Sequence, residues 1–123
     1  MSQEKEDYLR AIYELEENSG VRSIDLAKRL KISKASVSEM LRKLAKDNLV
    51  SIKLYSKVFL TGKGKKKAGE LFDKYYSIKT FFRKFFKYEH EKAREEACKL
   101  EHALSNDSIK IISRLIEGES KEL

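Results

Sequence analysis

The run Ser33-Lys34-Ala35-Ser36-Val37-Ser38-Glu39-Met40-Leu41-Arg42-Lys43-Leu44-Ala45-Lys46 decides how the rest of the chain is read. Val37, Met40, Leu41 and Leu44 recur at helical spacing and form one apolar stripe. Ala35, Ser38, Glu39 and Arg42 form the opposite stripe, flanked by Lys34, Ser36 and Lys43. Ser33 stands at an N-cap position, so a helix is expected over 34–46. Upstream, Ser23 is placed to cap a shorter helix that turns Leu26, Ala27 and Leu30 inward, and Lys31-Ile32 join the two. Two short helices on a tight connection, the second with small and polar residues outward, read as a helix-turn-helix. Such side chains let a backbone approach the major groove and leave donors and acceptors for base edges. The alternative is an ordinary three-helix packing unit.

The flanking segments extend the pattern. Before it, Tyr8, Leu9, Ile12, Tyr13 and Leu15 predict an amphipathic helix from Asp7 to Glu17, with Met1 to Glu6 frayed and Asn18-Ser19-Gly20 ending it. Asp7, at the helix start, suits the dipole there. After it, Leu49 to Leu54 alternates apolar and polar residues, Tyr55-Ser56-Lys57 reads as a turn, and Val58-Phe59-Leu60 is a second β-prone run. This is a β-hairpin wing with a basic tip, in the place where winged helices touch phosphates. Thr61 then caps a long helix. Gly62-Lys63-Gly64-Lys65 lacks the spacing of a phosphate-binding P-loop. The expected fold is mainly α: a winged helix-turn-helix over 1–63 with a small hairpin wing, then an α-helical dimerisation domain over 64–123.

Charge agrees with this division. Arg22 to Lys67 holds fourteen Lys and Arg against Asp25, Glu39 and Asp47, a net +11, which leaves −4 on the remainder of a chain of net +7. A basic block beside an acidic remainder is the electrostatic footprint of a nucleic-acid-binding lobe. A single Cys excludes an intramolecular disulfide framework and suits a reducing cytoplasm. No apolar run is long enough to cross a membrane, and no leader peptide is expected. No nucleophile–base pair marks an enzyme.

The second half carries two clusters. Phe72, Tyr75, Tyr76, Phe81, Phe82, Phe85, Phe86 and Tyr88 are eight of the twelve aromatics. They suit a core shared with a second subunit, over 72–104, better than stacking platforms for single-stranded nucleic acid. Next, Arg94 to Leu104 has no Gly or Pro and predicts a helix with Ala93, Ala97, Leu100 and Leu104 inward. On it Cys98, Glu101 and His102 share one patch, a donor set for a transition-metal ion. The competing reading is a small buried Cys beside a solvated Glu and His. His90 is taken as a surface residue between helices. Ser105 caps a last helix with Ile109, Ile112, Leu115 and Ile116.

Asp7-Tyr8-Leu9-Arg10-Ala11-Ile12-Tyr13-Glu14-Leu15, Asp25-Leu26-Ala27, Ser36-Val37-Ser38-Glu39-Met40-Leu41 and Glu95-Glu96-Ala97-Cys98-Lys99-Leu100-Glu101-His102 together resemble the diphtheria toxin repressor family. These are metal-dependent transcriptional repressors that include the manganese transport regulators. The match runs in order over nearly the whole chain, in the two-domain form without the SH3-like lobe of longer relatives.

The resemblance implies a homodimer that binds operator DNA and represses metal-uptake genes when divalent iron or manganese is replete. It maps the main metal site onto Asp7, Cys98, Glu101 and His102, one ion per subunit, Fe2+ first and Mn2+ second. Asp7 is the manganese-type residue of the first helix, and Cys98 the iron-type residue of helix five. The ancillary ligands align with Tyr75, Lys79 and Arg94, which cannot replace His and carboxylate, and the second acid of manganese-type first helices is Arg10. Asp7 lies in the DNA-binding lobe and the other three in the dimerisation lobe. Metal would therefore fix the spacing of two recognition helices, which successive major grooves require to be ~34 Å. Ser33, Lys34, Ala35, Ser36, Ser38 and Glu39 are expected near bases, and Arg42, Lys43, Lys53 and Lys57 on phosphates. The alternative is a winged-helix regulator that has lost its metal response.

Overall fold

The computed structural model describes residues 1–16, 20–54 and 57–122, the last four by backbone alone. In chain order the described elements are α1 (Gln3–Leu15), β1 (Val21–Arg22), α2 (Ser23–Leu30), α3 (Lys34–Lys46), β2 (Val50–Lys53), β3 (Lys57–Leu60), α4 (Gly62–Phe85), α5 (His90–Leu100) and α6 (Asn106–Glu122). The chain divides into two compact units, Met1–Phe72 and Asp73–Leu123, with the boundary inside α4.

In the first unit α3 is the element the sequence describes best. It spans Lys34–Lys46, with Val37, Met40, Leu41 and Leu44 buried, and Ser33 Oγ accepts from Ser36 N at 3.1 Å. A side-chain acceptor there satisfies an N–H that the helix itself leaves unpaired. The turn before it is tight because Lys31 adopts the left-handed conformation (φ 57°) and Ile32 N donates back to Ala27 O. That reversal closes the last turn of α2 and aims the chain into α3.

Three expectations are corrected. Residues before Asp7 are not frayed: α1 begins at Gln3, capped by Ser2, and Lys5 pairs with Asp47 at 2.8 Å. A cap and a tertiary ion pair together hold the polar end in register. Asp7 therefore lies in the second turn, beyond the strongest reach of the helix dipole. The same helix ends at Leu15, with Glu16 extended; Glu16 Oε1 accepts from Leu60 N at 3.1 Å and so leaves the helix to serve the sheet. Asn18 and Ser19 fall outside the described residues. Ser23 is the first residue of α2 rather than its cap; Arg22 holds the cap position without a side-chain cap bond, being committed to β1.

The wing has three strands in the order β1-β3-β2 rather than two. Val21 pairs with Val58 and Val50 with Leu60, both antiparallel. Gly20 (φ +86°) makes the entry to β1, where an added Cβ would lie 2.7 Å from the Phe59 ring. Lys57 begins β3 instead of completing the turn, and Tyr55 and Ser56 are outside the described residues. Val58, on the central strand, is buried, whereas Ile52 on the outer strand is 44% exposed and Leu54 is 83% exposed. An outer strand leaving the helices gains no cover on its apolar side.

Asp47–Leu49 joins the helices to the wing. Asn48 takes a left-handed conformation (φ 60°) and Leu49 N donates to Leu44 O, ending α3. Thr61 N donates to Leu49 O, and Thr61 Oγ1 donates to Asn48 O at 2.7 Å while accepting from Gly64 N. Thr61 thus caps α4 as expected. The core of this unit runs from Tyr8, Leu9 and Ile12 through Leu26 and the α3 stripe to Ala68 and Leu71 of α4.

In the second unit Ala93 and Ala97 of α5 and Tyr75 and Ile78 of α4 are buried. His90 is the first residue of α5 rather than a linker. The helix stops at Leu100, earlier than expected: Ala103 N and Leu104 N both donate to Leu100 O. Lys74 Nζ donates to Leu104 O at 3.4 Å, holding the end of that turn. Ser105 caps α6 by accepting from Ser108 N, as the sequence predicts.

Candidate metal centre and DNA-reading face

Because α5 ends at Leu100, Glu101 and His102 fall in the tight turn that follows. Glu101 keeps right-handed helical angles and donates its N–H to Ala97 O, so its side chain still projects with the α5 face. It is 1% exposed, which excludes the reading as a solvated acid. His102 Nε2 lies 3.3 Å from Glu101 Oε1, with the imidazole itself 8% exposed. Burying a carboxylate is costly unless charge or metal compensates it. A buried carboxylate beside a buried imidazole offers one oxygen and one nitrogen donor, a chemistry that fits a divalent cation of the first transition row.

Cys98, one turn earlier, is half-buried, and Arg94 Nη1 is 4.0 Å from its Sγ. Arg94 also donates to Glu91 Oε1 from Nε at 3.1 Å and from Nη2 at 2.5 Å. That hydrogen bond from Arg94 to Glu91 raises the guanidinium pKa further above its usual value. Asp7 lies on the second turn of α1 in the first unit, half-buried next to the buried Tyr8. Burial, reinforced by the charge of Glu4, raises the pKa of the Tyr8 phenol. Arg10, at the other sequence position of interest on α1, pairs with Glu14 at 2.8 Å, and Glu14 also takes Arg29.

The residues aligned with an ancillary site do not fit a second cation. Lys79 Nζ stands 5.3 Å from the Tyr75 ring centre and 5.6 Å from that of Tyr76, and 3.4 Å from His90 Nε2. With Arg94 this makes two fixed positive charges and an aromatic wall, an arrangement that repels a metal ion.

The α3 face opposite the core is open. Ser33, Lys34, Ala35, Ser36, Ser38, Glu39, Arg42 and Lys43 are all exposed. Glu39 and Lys43 approach to 3.9 Å, a solvent-screened pair of small energetic consequence. On the wing Lys53 is exposed and Lys57 half-buried, and with Leu54 and Phe59 they line one shallow depression. Leu54 was not singled out from sequence, because the alternating pattern places it in a strand rather than at a bare rim.

A winged helix-turn-helix followed by a helical unit with a buried carboxylate–imidazole pair defines a class, the DNA-binding regulators that carry a metal centre. Residues 1–58 match the family profile described as iron dependent repressor, N-terminal DNA binding domain, and residues 61–119 match that of its metal binding and dimerisation domain. The chain is 39% identical over 119 residues to an HTH-type transcriptional regulator of Methanocaldococcus jannaschii, covering 95% of each chain. It is 34% identical over 113 residues to the HTH-type transcriptional regulator MntR of Bacillus subtilis (strain 168), covering 91% of this chain and 79% of that one. Among solved structures, the manganese regulator SloR matches with a TM-score of 0.80 at 31% identity, over 95% of this chain. The chain spans about half the length of that structure (55%). This chain belongs to the iron-dependent repressor family of DNA-binding transcriptional regulators, whose C-terminal domain binds divalent metal and dimerises.

Proposed function

We propose that this chain is a cytoplasmic homodimeric repressor of metal-uptake genes, bound to duplex operator DNA when each subunit holds one divalent ion. Residues 1–63 read the DNA and residues 64–123 hold the metal and dimerise. Asp7, Cys98, Glu101 and His102 are the donors. The buried Glu101 with His102 Nε2 at 3.3 Å is the observation that carries this reading. When bound, the cation supplies the positive charge that a buried carboxylate requires. Cys98 and His102 rank Fe2+ ahead of Mn2+, since thiolate and imidazole favour iron over the oxygen-preferring manganese. Asp7 belongs to the DNA-reading part and the other donors to the dimerisation part, so shared ligation couples metal to DNA affinity. Coupling of roughly 1–3 kcal/mol changes that affinity about 5- to 150-fold.

Ser33 at the cap of α3, with Lys34, Ala35, Ser36, Ser38 and Glu39 on it, faces bases, while Arg42 and Lys43 of α3 and Lys53 and Lys57 of the wing engage phosphates. Glu39 accepts from a cytosine N4 amine in this scheme. The dimer interface uses the aromatic surface of residues 72–104. There Phe81–Phe85 pack tilted at 4.8 Å and Phe82–Phe86 edge to face at 4.6 Å between ring centres, and Tyr76, Phe85 and Phe86 remain exposed. Phe72 is an exception, packing on Tyr13 of the first unit.

Selection from a random duplex library, run with Mn2+ or anaerobic Fe2+ and again with chelator, tests the proposal. Enrichment of one palindromic sequence only with metal, lost in Glu101→Gln, is expected. The same enrichment under chelator would favour a regulator without metal response, the second reading that the cations Lys79 and Arg94 support.

A further inference from the structure

The proposed donor set leaves Arg94 without a role, although it touches Cys98. Glu91, Arg94 and Cys98 follow one another at spacings of three and four residues along one face of α5. Glu91 Oε1 receives two guanidinium nitrogens, which fixes the orientation of the fork, and the remaining nitrogen, Nη1, faces Cys98 Sγ at 4.0 Å. A guanidinium stays protonated at every pH a protein meets, so this charge is permanent. We propose that Arg94 determines metal specificity by competing with the bound cation for the sulfur of Cys98. The inference rests on the reading of Glu101 and His102 as part of a metal centre.

The competition is selective because the donors differ. Carboxylates satisfy manganese, whereas zinc and cobalt gain most from a thiolate. A thiolate engaged by a guanidinium makes a charge-assisted contact that must be given up before sulfur binds metal. The ions that depend most on sulfur therefore lose most. Glu91 serves as the positioning residue that keeps Arg94 on the sulfur.

The test uses the whole chain with cobalt(II) as probe, in wild type, Arg94→Gln and Arg94→Gln/Cys98→Ala. Thiolate-to-cobalt charge-transfer absorbance per bound ion reports sulfur ligation directly. A band in wild type, a stronger one in Arg94→Gln and none in the double variant are expected. In competition with a chromophoric chelator, zinc affinity should rise about tenfold in Arg94→Gln, the low end for a charge-assisted contact. Manganese affinity should rise by a clearly smaller factor, the part owed to removing a nearby positive charge, which every divalent ion shares. A band no stronger in Arg94→Gln than in wild type, or equal shifts for zinc and manganese, overturns the role of Arg94 alone. Cobalt binding that is undiminished by Glu101→Gln overturns the metal-centre reading itself.

Discussion

Gly62 and Gly64 lie in the same first turn of α4, and replacing each with Ala separates helix propensity from packing. Propensity alone predicts that both variants stabilise the helix by up to about 1 kcal/mol. The structure separates them. At Gly62 an added methyl meets nothing within 4 Å, so Gly62→Ala should match or exceed wild type. At Gly64 the methyl would lie 1.9 Å from the Leu49 carbonyl oxygen and 3.0 Å from its carbon. Carbon ordinarily approaches a carbonyl oxygen to about 3.3 Å, so the two backbones must part by more than about 1 Å. The Thr61 N–H bond to the same carbonyl is then strained, at about 1 kcal/mol, along with the Thr61 cap on Gly64 N, at about 1 kcal/mol. Crowding against backbone adds about 1–3 kcal/mol, and propensity returns about 1. The net is a destabilisation of about 2–4 kcal/mol, or roughly 6–16 °C in Tm for a chain of this size. Thermal and urea unfolding in the presence of chelator, which removes metal linkage, measure it. Gly64→Ala as stable as wild type, or Gly62→Ala falling as far, refutes the reasoning.

Other perturbations probe the same unit. Ser33→Ala removes the α3 cap and should cost about 1 kcal/mol in urea unfolding, with helix content otherwise kept. Lys53→Ala and Lys57→Ala should each lower the salt slope of duplex binding by about 1 without changing the preferred sequence; an altered sequence preference would place them on bases instead. The hydrogen bond from Lys5 holds the Asp47 carboxyl below its ordinary value. A carboxylate with a lowered folded-state value contributes stability above its unfolded pKa and loses it as pH falls through the folded one. Asp47→Asn should therefore flatten the acid limb of the stability profile and leave stability differences between neutral pH and pH 8 unchanged. Leu44→Ala, at a fully buried position, should cost about 2–5 kcal/mol.

What was legible in the sequence is what local pattern and capping decide. The limits and buried stripe of α3 follow from Ser33 and four apolar residues within one helix, and the caps Thr61 and Ser105 are equally local. The start of α1 has a local mark in the Ser2 cap, but the polar run behind it is held by Lys5, whose partner Asp47 stands forty-two residues away. Strand β1 was hidden because two residues carry no periodicity and Val21 pairs only once Val58 is in place. Along Leu49–Leu54 the alternation was correct as a strand signal, yet it could not say that the outer end runs past its cover. At the candidate metal centre, residue types and spacing offered Cys98, Glu101 and His102 as a donor set. The burial of Glu101 and the guanidinium on Cys98 depend on side-chain placement that spacing leaves open.

Asp47, Asn48 and Leu49 hold the end of α3, the first strand of the hairpin and the start of α4 through a handful of backbone and Thr61 bonds. The consequence is mechanical. Among the described residues α3 and the wing are tied to one junction, so in the proposed reading they approach a duplex already in mutual register and little freedom is lost when both make contact. A torque applied at the start of α4 turns them together, as a key turns with its bow.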